Sequence, residues 1–208
     1  MNNETRGVIL VISGPSGSGK GTVVEELRKL YPNAGVSVSA TTRQPREGET
    51  EGVNYYYYKT REEFEKLIEE GEVLEYTQYN GNYYGTLKAE ARRITGEGRD
   101  LILEIEVDGG GQIKRLMGDE CAAIMLIAPS AEEQERRLRG RGTETEEVIQ
   151  ARLDRAKAEI KEAINYDYIV VNETGKVREC AEEILAIIMA EHRNNYRMMK
   201  YIREYFGE

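Results

Sequence analysis

The chain has few of the residues that mark whole classes of protein. Its 208 residues include only two cysteines, Cys121 and Cys180, and a single histidine, His192. Two thiols in apolar segments, with no second pair, cannot build a metal cage or a disulfide framework, so both are read as buried free thiols. One histidine on a late charged segment leaves no material for a catalytic triad, and His192 is read as incidental. No apolar run approaches the roughly 20 residues that a bilayer-spanning helix requires. Residues 1–6 are polar and lack the order of a secretory signal, so the chain is expected to stay in the cytoplasm. Basic residues are in the minority, 29 against 38 acidic, giving a net charge of −9. A nucleic-acid binder needs a dense basic face, so that role is excluded and any phosphate binding has to be local. No internal repeat or low-complexity stretch is present.

What the chain has is an ordinary globular balance, 39% hydrophobic and 32% charged, arranged as alternating strand and helix patterns. Residues 7–13 carry an apolar β-branched run that reads as a strand covered on both faces, and Lys20–Leu30 reads as the helix after it. A second strand is expected over 36–40, a loop over 43–52, and a strand over 55–59. A helix over 61–70 is capped by Thr60 and Glu63, and a hairpin spans 73–84 around Asn80-Gly81. Further strands are expected at 101–107, 122–127 and 168–171, and a short helix through Ile113 and Met117. Helices follow at about 131–139, opened by Ser130 and Glu133, at 146–163 and from 176 onward. Tyr196, Met199, Ile202 and Phe206 continue a helical spacing that would pack on the body or on a second subunit. The pattern is α/β: a parallel core sheet flanked by helices, with an inserted mixed lobe.

Gly14-Pro15-Ser16-Gly17-Ser18-Gly19-Lys20-Gly21-Thr22 lies between the first strand and the first helix. Glycines let successive N–H groups converge on an anion, the helix end adds a positive dipole, and the lysine reaches β and γ oxygens, so this is a nucleoside triphosphate cradle. The pattern departs at Gly21, where a hydroxyl that touches magnesium usually stands; Thr22 comes one residue late.

Other clusters point to a second anion. Arg43 and Arg46, three apart on a loop, can fork a terminal phosphate. Glu104 and Glu106 alternate on one face of the 101–107 strand, where buried carboxylates need a cation, water or ligand. Arg136, Arg137, Arg139 and Arg141 concentrate positive charge. An exposed helix in which Glu132, Glu133 and Glu135 pair with arginine suits Arg136 and Arg139 better than Arg137 and Arg141.

Four stretches taken together, Gly14 to Lys20, Ser39-Ala40-Thr41-Thr42-Arg43-Gln44-Pro45-Arg46, Gly81-Asn82-Tyr83-Tyr84-Gly85-Thr86 and Arg137 through Arg141-Gly142-Thr143-Glu144-Thr145, resemble the guanylate kinase family from Gly14 to about Asn172. The resemblance implies phosphoryl transfer from ATP to GMP with Mg2+ bound alongside ATP and no dedicated protein metal ligand. It implies a single domain with a core of residues 1–38, 87–130 and 154–208, an acceptor lobe over about 39–86 and a lid over about 131–153. It assigns Arg43, Arg46, Tyr55 and Tyr84 to the GMP phosphate, and Glu75, Ser39 and Thr86 to guanine. Glu104 and Glu106 go to guanine and magnesium-water contacts. Glu106 and Asp108 stand where the family usually has aspartate and glutamine. Arg137, Arg141 and Arg152 are implied to be lid arginines that join Lys20 and Arg43 in catalysis, and Asn172 to contact adenine or order the lid. Tyr55 and Tyr84 also read as ordinary packing residues, and Asn172 as a turn former. The expected partners are ATP and GMP, with no nucleic acid and no membrane, on a monomer or homodimer. A kinase for another small molecule, or a non-catalytic module binding phosphopeptides, remains as a rival reading. The set Glu75, Ser39 and Thr86 argues against the first, and Lys20 with Arg137 and Arg141 against the second.

Overall fold

The computed structural model describes residues 7–79, 81–140 and 145–207. In chain order it contains β1 (Ile9–Ser13), α1 (Lys20–Leu30), β2 (Gly35–Val36), β3 (Ala40–Thr41), β4 (Tyr56–Tyr57) and α2 (Arg61–Glu69). There follow β5 (Val73–Tyr79), β6 (Asn82–Leu87), α3 (Lys88–Gly96), β7 (Leu101–Glu104), α4 (Val107–Met117), β8 (Cys121–Ile127) and α5 (Ala131–Arg139). The chain ends with α6 (Glu146–Lys161), β9 (Tyr168–Val171), α7 (Val177–Glu191) and α8 (Asn195–Phe206).

Five strands in the order β2-β7-β1-β8-β9 form a sheet whose pairs are all parallel. β1 is buried throughout because both of its faces are covered. Leu10 and Ile12 pack with Val23 and Leu27 of α1 and Ile184 and Ile188 of α7, while Ile9 and Val11 pack with Ile94 of α3 and Ile113 of α4. From β1 the chain crosses through α1 to β2 on one side, and from β7 through α4 to β8 on the other. The carboxyl ends of β7, β1 and β8 therefore open at the point where the strand order reverses, the usual place for a ligand in such a sheet.

A second, mixed sheet has the order β4-β3-β6-β5. Its small core is built on Phe64 of α2, fully buried and stacked on Tyr83 with ring centroids 5.1 Å apart; burying such a side chain stabilises by about 1.5–3 kcal/mol. The Thr60–Glu63 capping box that starts α2 is present in both directions. β5 and β6 form the expected antiparallel hairpin.

Four features differ from the sequence reading. The strand over 36–40 is two strands in different sheets: Val36 pairs with Ile102, whereas Ala40 pairs with Tyr56 and Gly85. The apolar pattern is continuous, but the chain crosses from one sheet to the other at residues 37–39. The strand over 101–107 stops at Glu104, and Glu106, with φ −64° and ψ 159°, is the N-cap of α4. The helix α3, absent from the sequence reading, buries only the short face of Glu90, Ala91, Ile94 and Thr95, too brief a stripe to register as a period. The strand expected over 55–59 shortens to Tyr56–Tyr57.

His192 is structural: its Nε2 lies 2.8 Å from Oδ2 of Asp100. That buried carboxylate also accepts from the Val8 N–H at 2.8 Å and the Tyr31 hydroxyl at 3.0 Å. The end of α7 is thereby tied to the start of β1. Among the described residues no helix is long and apolar enough to cross a membrane.

Candidate active site

The loop Gly14–Thr22 leaves the carboxyl end of β1 and becomes α1. Gly19 is the N-cap residue in the left-handed conformation, φ 86°, and a Cβ there would stand 2.4 Å from Asn172 Nδ2, so glycine is required twice over. No side chain caps α1 and no acid lies in its first turn, which leaves its N-terminal dipole open to an anion. Asn172, at the end of β9 and buried, donates from Nδ2 to the Ser18 carbonyl at 2.9 Å. Its side chain here shapes the loop.

Lys20 Nζ lies 3.5 Å from Glu106 Oε1 and 4.0 Å from Glu104 Oε1. The two acids do not alternate on one strand face, since only Glu104 belongs to β7. Nor are they buried: Glu104 is 41% and Glu106 66% exposed. Both reach the lysine from the junction of two elements, Glu104 at the end of β7 and Glu106 at the N-cap of α4. A Cβ on Gly21 would lie 3.5 Å from Glu104 Oε1, so a carboxylate stands beside the position at which the general pattern carries a hydroxyl. Among the described residues no group of three His, Cys, Asp or Glu side chains forms a metal cage.

Facing the loop is Glu75 of β5. The β5–β6 register shifts between Val73 and Glu75, so Leu74 and Glu75 are both buried instead of alternating. Glu75 Oε1 accepts from Thr86 Oγ1 at 2.8 Å. Burial pushes the Glu75 carboxyl above its ordinary value, and the hydrogen bonds from Thr86 oppose that rise. The approach is close because α4 carries glycine there: a Cβ at Gly109 would meet Glu75 Oε2 at 3.0 Å. Ser39 lies in the crossing between the two sheets and joins the same cleft.

Arg43 is held by a residue that sequence reasoning missed. Its Nη2 donates to both oxygens of Glu49, at 2.8 and 2.9 Å, and its Nη1 to the Gln44 carbonyl at 2.8 Å. Glu49 also accepts from the Arg46 N–H at 2.7 Å and the Tyr57 hydroxyl at 2.8 Å. These bonds, from Arg43 first and then the Arg46 amide, bring the Glu49 carboxyl down to about 2. The Arg43 guanidinium stands 5.3 Å from the Tyr55 ring centroid, and that ring meets Tyr84 edge-on at 6.0 Å. Arg43, Tyr55 and Tyr84 are thus one cluster, while the Arg46 side chain is exposed and only its main-chain N–H is bound to Glu49.

On the opposite side, Arg152 of α6 donates from Nη1 to Ser16 Oγ at 3.0 Å. Arg137 of α5 donates to the Ser18 carbonyl at 3.2 Å, to the Asn172 carbonyl at 2.8 Å and from Nε to Glu133 at 2.8 Å. The expectation that the acids of this helix would suit Arg136 and Arg139 better is therefore too narrow. Glu133 takes both Arg136 and Arg137, because residues three and four apart share a helix face; Arg139 pairs with Glu135 and Glu146. Arg141 lies outside the described residues. Gln134, a second residue that the sequence did not single out, donates to the Ser16 carbonyl at 2.7 Å.

One open cleft of about 1210 Å³ joins these parts. Its lining includes the whole of Gly14–Thr22, with Glu104, Glu106 and Arg152 on the side of the parallel sheet, and Ser39, Glu75, Tyr84 and Thr86 on the side of the mixed sheet. Arg43, Arg46, Tyr55, Arg137 and Asn172 are not on that lining.

The sequence model described as guanylate kinase matches residues 6–191. A guanylate kinase of Shouchella clausii is 47% identical over 199 residues, 96% of this chain and 95% of that protein. One from Clostridioides difficile is 46% identical over 98% of this chain and 97% of its own length. The crystal structure of guanylate kinase from Anaplasma phagocytophilum superimposes with a TM-score of 0.69 at 33% identity, covering 97% of this chain and 96% of that one. A phosphate loop, a buried carboxylate facing it across one cleft, and likeness of sequence and fold over nearly the full length agree: this chain belongs to the guanylate kinase family.

Proposed function

We propose that the chain transfers the γ-phosphoryl group of ATP to GMP, giving ADP and GDP, with dGMP as a second acceptor. One observation carries this reading: the anion-binding loop and the buried Glu75–Thr86 pair line the same cleft. ATP lies with its phosphates on the N–H groups of Gly14–Thr22 and on Lys20. GMP lies on the mixed sheet, its base N1–H and N2 amine donating to Glu75, with Ser39 and Thr86 beside it. Adenine offers no such donors in that place, so the carboxylate selects guanine. Arg43, Arg46, Tyr55 and Tyr84 hold the acceptor phosphate. The acceptor is already an anionic nucleophile, so no general base is needed. Catalysis consists of aligning two phosphates and neutralising the charge that spreads over the equatorial oxygens, the task of Lys20, Arg137, Arg141 and Arg152.

The oxygen-rich surroundings of Glu104 and Glu106 suit Mg2+, which would be held there through its waters and the nucleotide; when bound it neutralises charge on the β and γ oxygens. In this reading residues 39–86 are the acceptor lobe and 131–153 the lid on a core of 1–38, 87–130 and 154–208. The activity belongs in the cytoplasm, on a monomer or homodimer. Titration calorimetry with GMP, with and without an ATP analogue, tests the reading: heat from GMP and none from AMP supports it, and no heat from GMP on well-folded protein overturns it.

A further inference from the structure

The phosphate loop is gripped from its far side by a side chain with no place in the nucleotide contacts. Gln134, on α5, is 4% exposed, and its Nε2 reaches the Ser16 carbonyl at 2.7 Å across 118 positions of chain. Packing holds it there. Gly17, the next residue of the loop, has φ +86°, and a Cβ on it would stand 3.0 Å from Gln134 Cγ and 3.1 Å from Leu138 Cγ. One turn on, Arg137 of the same helix bonds the Ser18 carbonyl, so α5 holds two loop carbonyls two residues apart.

In a trans peptide the C=O and the following N–H point in opposite directions. A Ser16 carbonyl drawn toward α5 therefore turns the Gly17 N–H away from α5, toward the cleft that Gly17 lines. The Ser16–Gly17 peptide is the middle of a turn that the Ser18 N–H closes on the Pro15 carbonyl at 3.1 Å; that closing bond is compatible with either facing of the middle peptide, so it leaves the choice of facing to Gln134. A buried amide is a costly way to fill a position beside Leu138 unless its hydrogen bond is used. We propose that Gln134 is a positioning residue for the phosphate donor, fixing the Ser16–Gly17 peptide so that the Gly17 N–H stays aimed at the triphosphate. This inference rests on the loop being the ATP site.

Gln134→Met keeps the length and the packing but has no donor, and Gln134→Glu sets an oxygen against the Ser16 carbonyl. In steady-state kinetics the Met variant is expected to raise KM for ATP roughly three- to tenfold, the worth of one hydrogen bond, with kcat and KM for GMP within about twofold. Gln134→Glu should be worse. A residue that only packs would lower the melting temperature and leave the ratio of the two KM values unchanged. Calorimetry with a non-hydrolysable ATP analogue gives the same comparison without turnover, and Gln134→Leu, which also lacks the donor, replaces the Met variant if that one does not fold. Wild-type analogue affinity in a folded donorless variant overturns the proposal. A wild-type protein that binds the analogue yet never phosphorylates GMP overturns the acceptor reading alone, and the Gln134 comparison still stands.

Discussion

Thr86 Oγ1 donates to Glu75 Oε1 at 2.8 Å, and both residues are buried, 3% and 8% exposed. The hydroxyl satisfies one carboxylate oxygen, and the other stands where a Cβ on Gly109 would meet it at 3.0 Å. A buried carboxylate with one oxygen committed is a strong and selective acceptor for paired N–H groups.

Glu75→Gln should raise KM for GMP about a hundredfold or more while KM for ATP changes little, because the amide sets a donor against the donors of guanine. The pH dependence has a definite sign. Burial raises the Glu75 pKa, so between the ordinary and the raised value the folded chain holds more protons than the unfolded one, and this group's contribution to stability falls as pH rises through that window. Across the same window GMP binding should strengthen as pH rises, since the ionised form is the acceptor. Glu75→Gln should lose both slopes in melting and binding titrations.

Lys20→Ala should cut turnover by at least about a hundredfold, as loss of one preorganised phosphate donor does. Its circular dichroism and melting should stay close to wild type, because among the described residues Lys20 pairs only with the half-exposed Glu104 and the exposed Glu106. Normal turnover by the folded variant would contradict the role.

Glu49→Gln should raise KM for GMP by about tenfold, the worth of charge-assisted bonds that aim a guanidinium, and leave KM for ATP alone. Glu49 holds Arg43, the Arg46 amide and the Tyr57 hydroxyl at once. An unchanged or lower KM for GMP would show that Glu49 competes with the acceptor phosphate instead of arranging its site.

Cys121 and Cys180 are buried and unpaired, and burial pushes each thiol up to about 11. An aromatic disulfide reagent at pH 8 should release nothing from the native protein and two equivalents after denaturation, since only about a thousandth of such thiols is ionised. Rapid labelling of the native chain would contradict the burial.

Much of this was legible in the residues. β1, α1, the α2 capping box and the β5–β6 hairpin follow from local pattern and turn chemistry, and the motif residues of loop and hairpin do meet in one cleft. What escaped depends on where the chain goes next. Residues 36–40 look like one strand but serve two sheets, and Glu106 continues an alternation that ends at Glu104. Glu49 and Gln134 lie in no motif; each acts on main-chain groups that only the fold brings within reach, Arg46 N–H and Ser16 C=O. The bond from the Asn172 side chain to the Ser18 carbonyl, across 154 positions of chain, is likewise set by the fold alone.

The most direct test of the two-nucleotide cleft is a coupled ADP-release assay with ATP and Mg2+, run against GMP, dGMP, AMP, UMP and no acceptor. ADP release with GMP and dGMP, and background rates with the other three, is the expected result. Release with AMP or UMP equal to that with GMP, or none with GMP from folded protein, would contradict it.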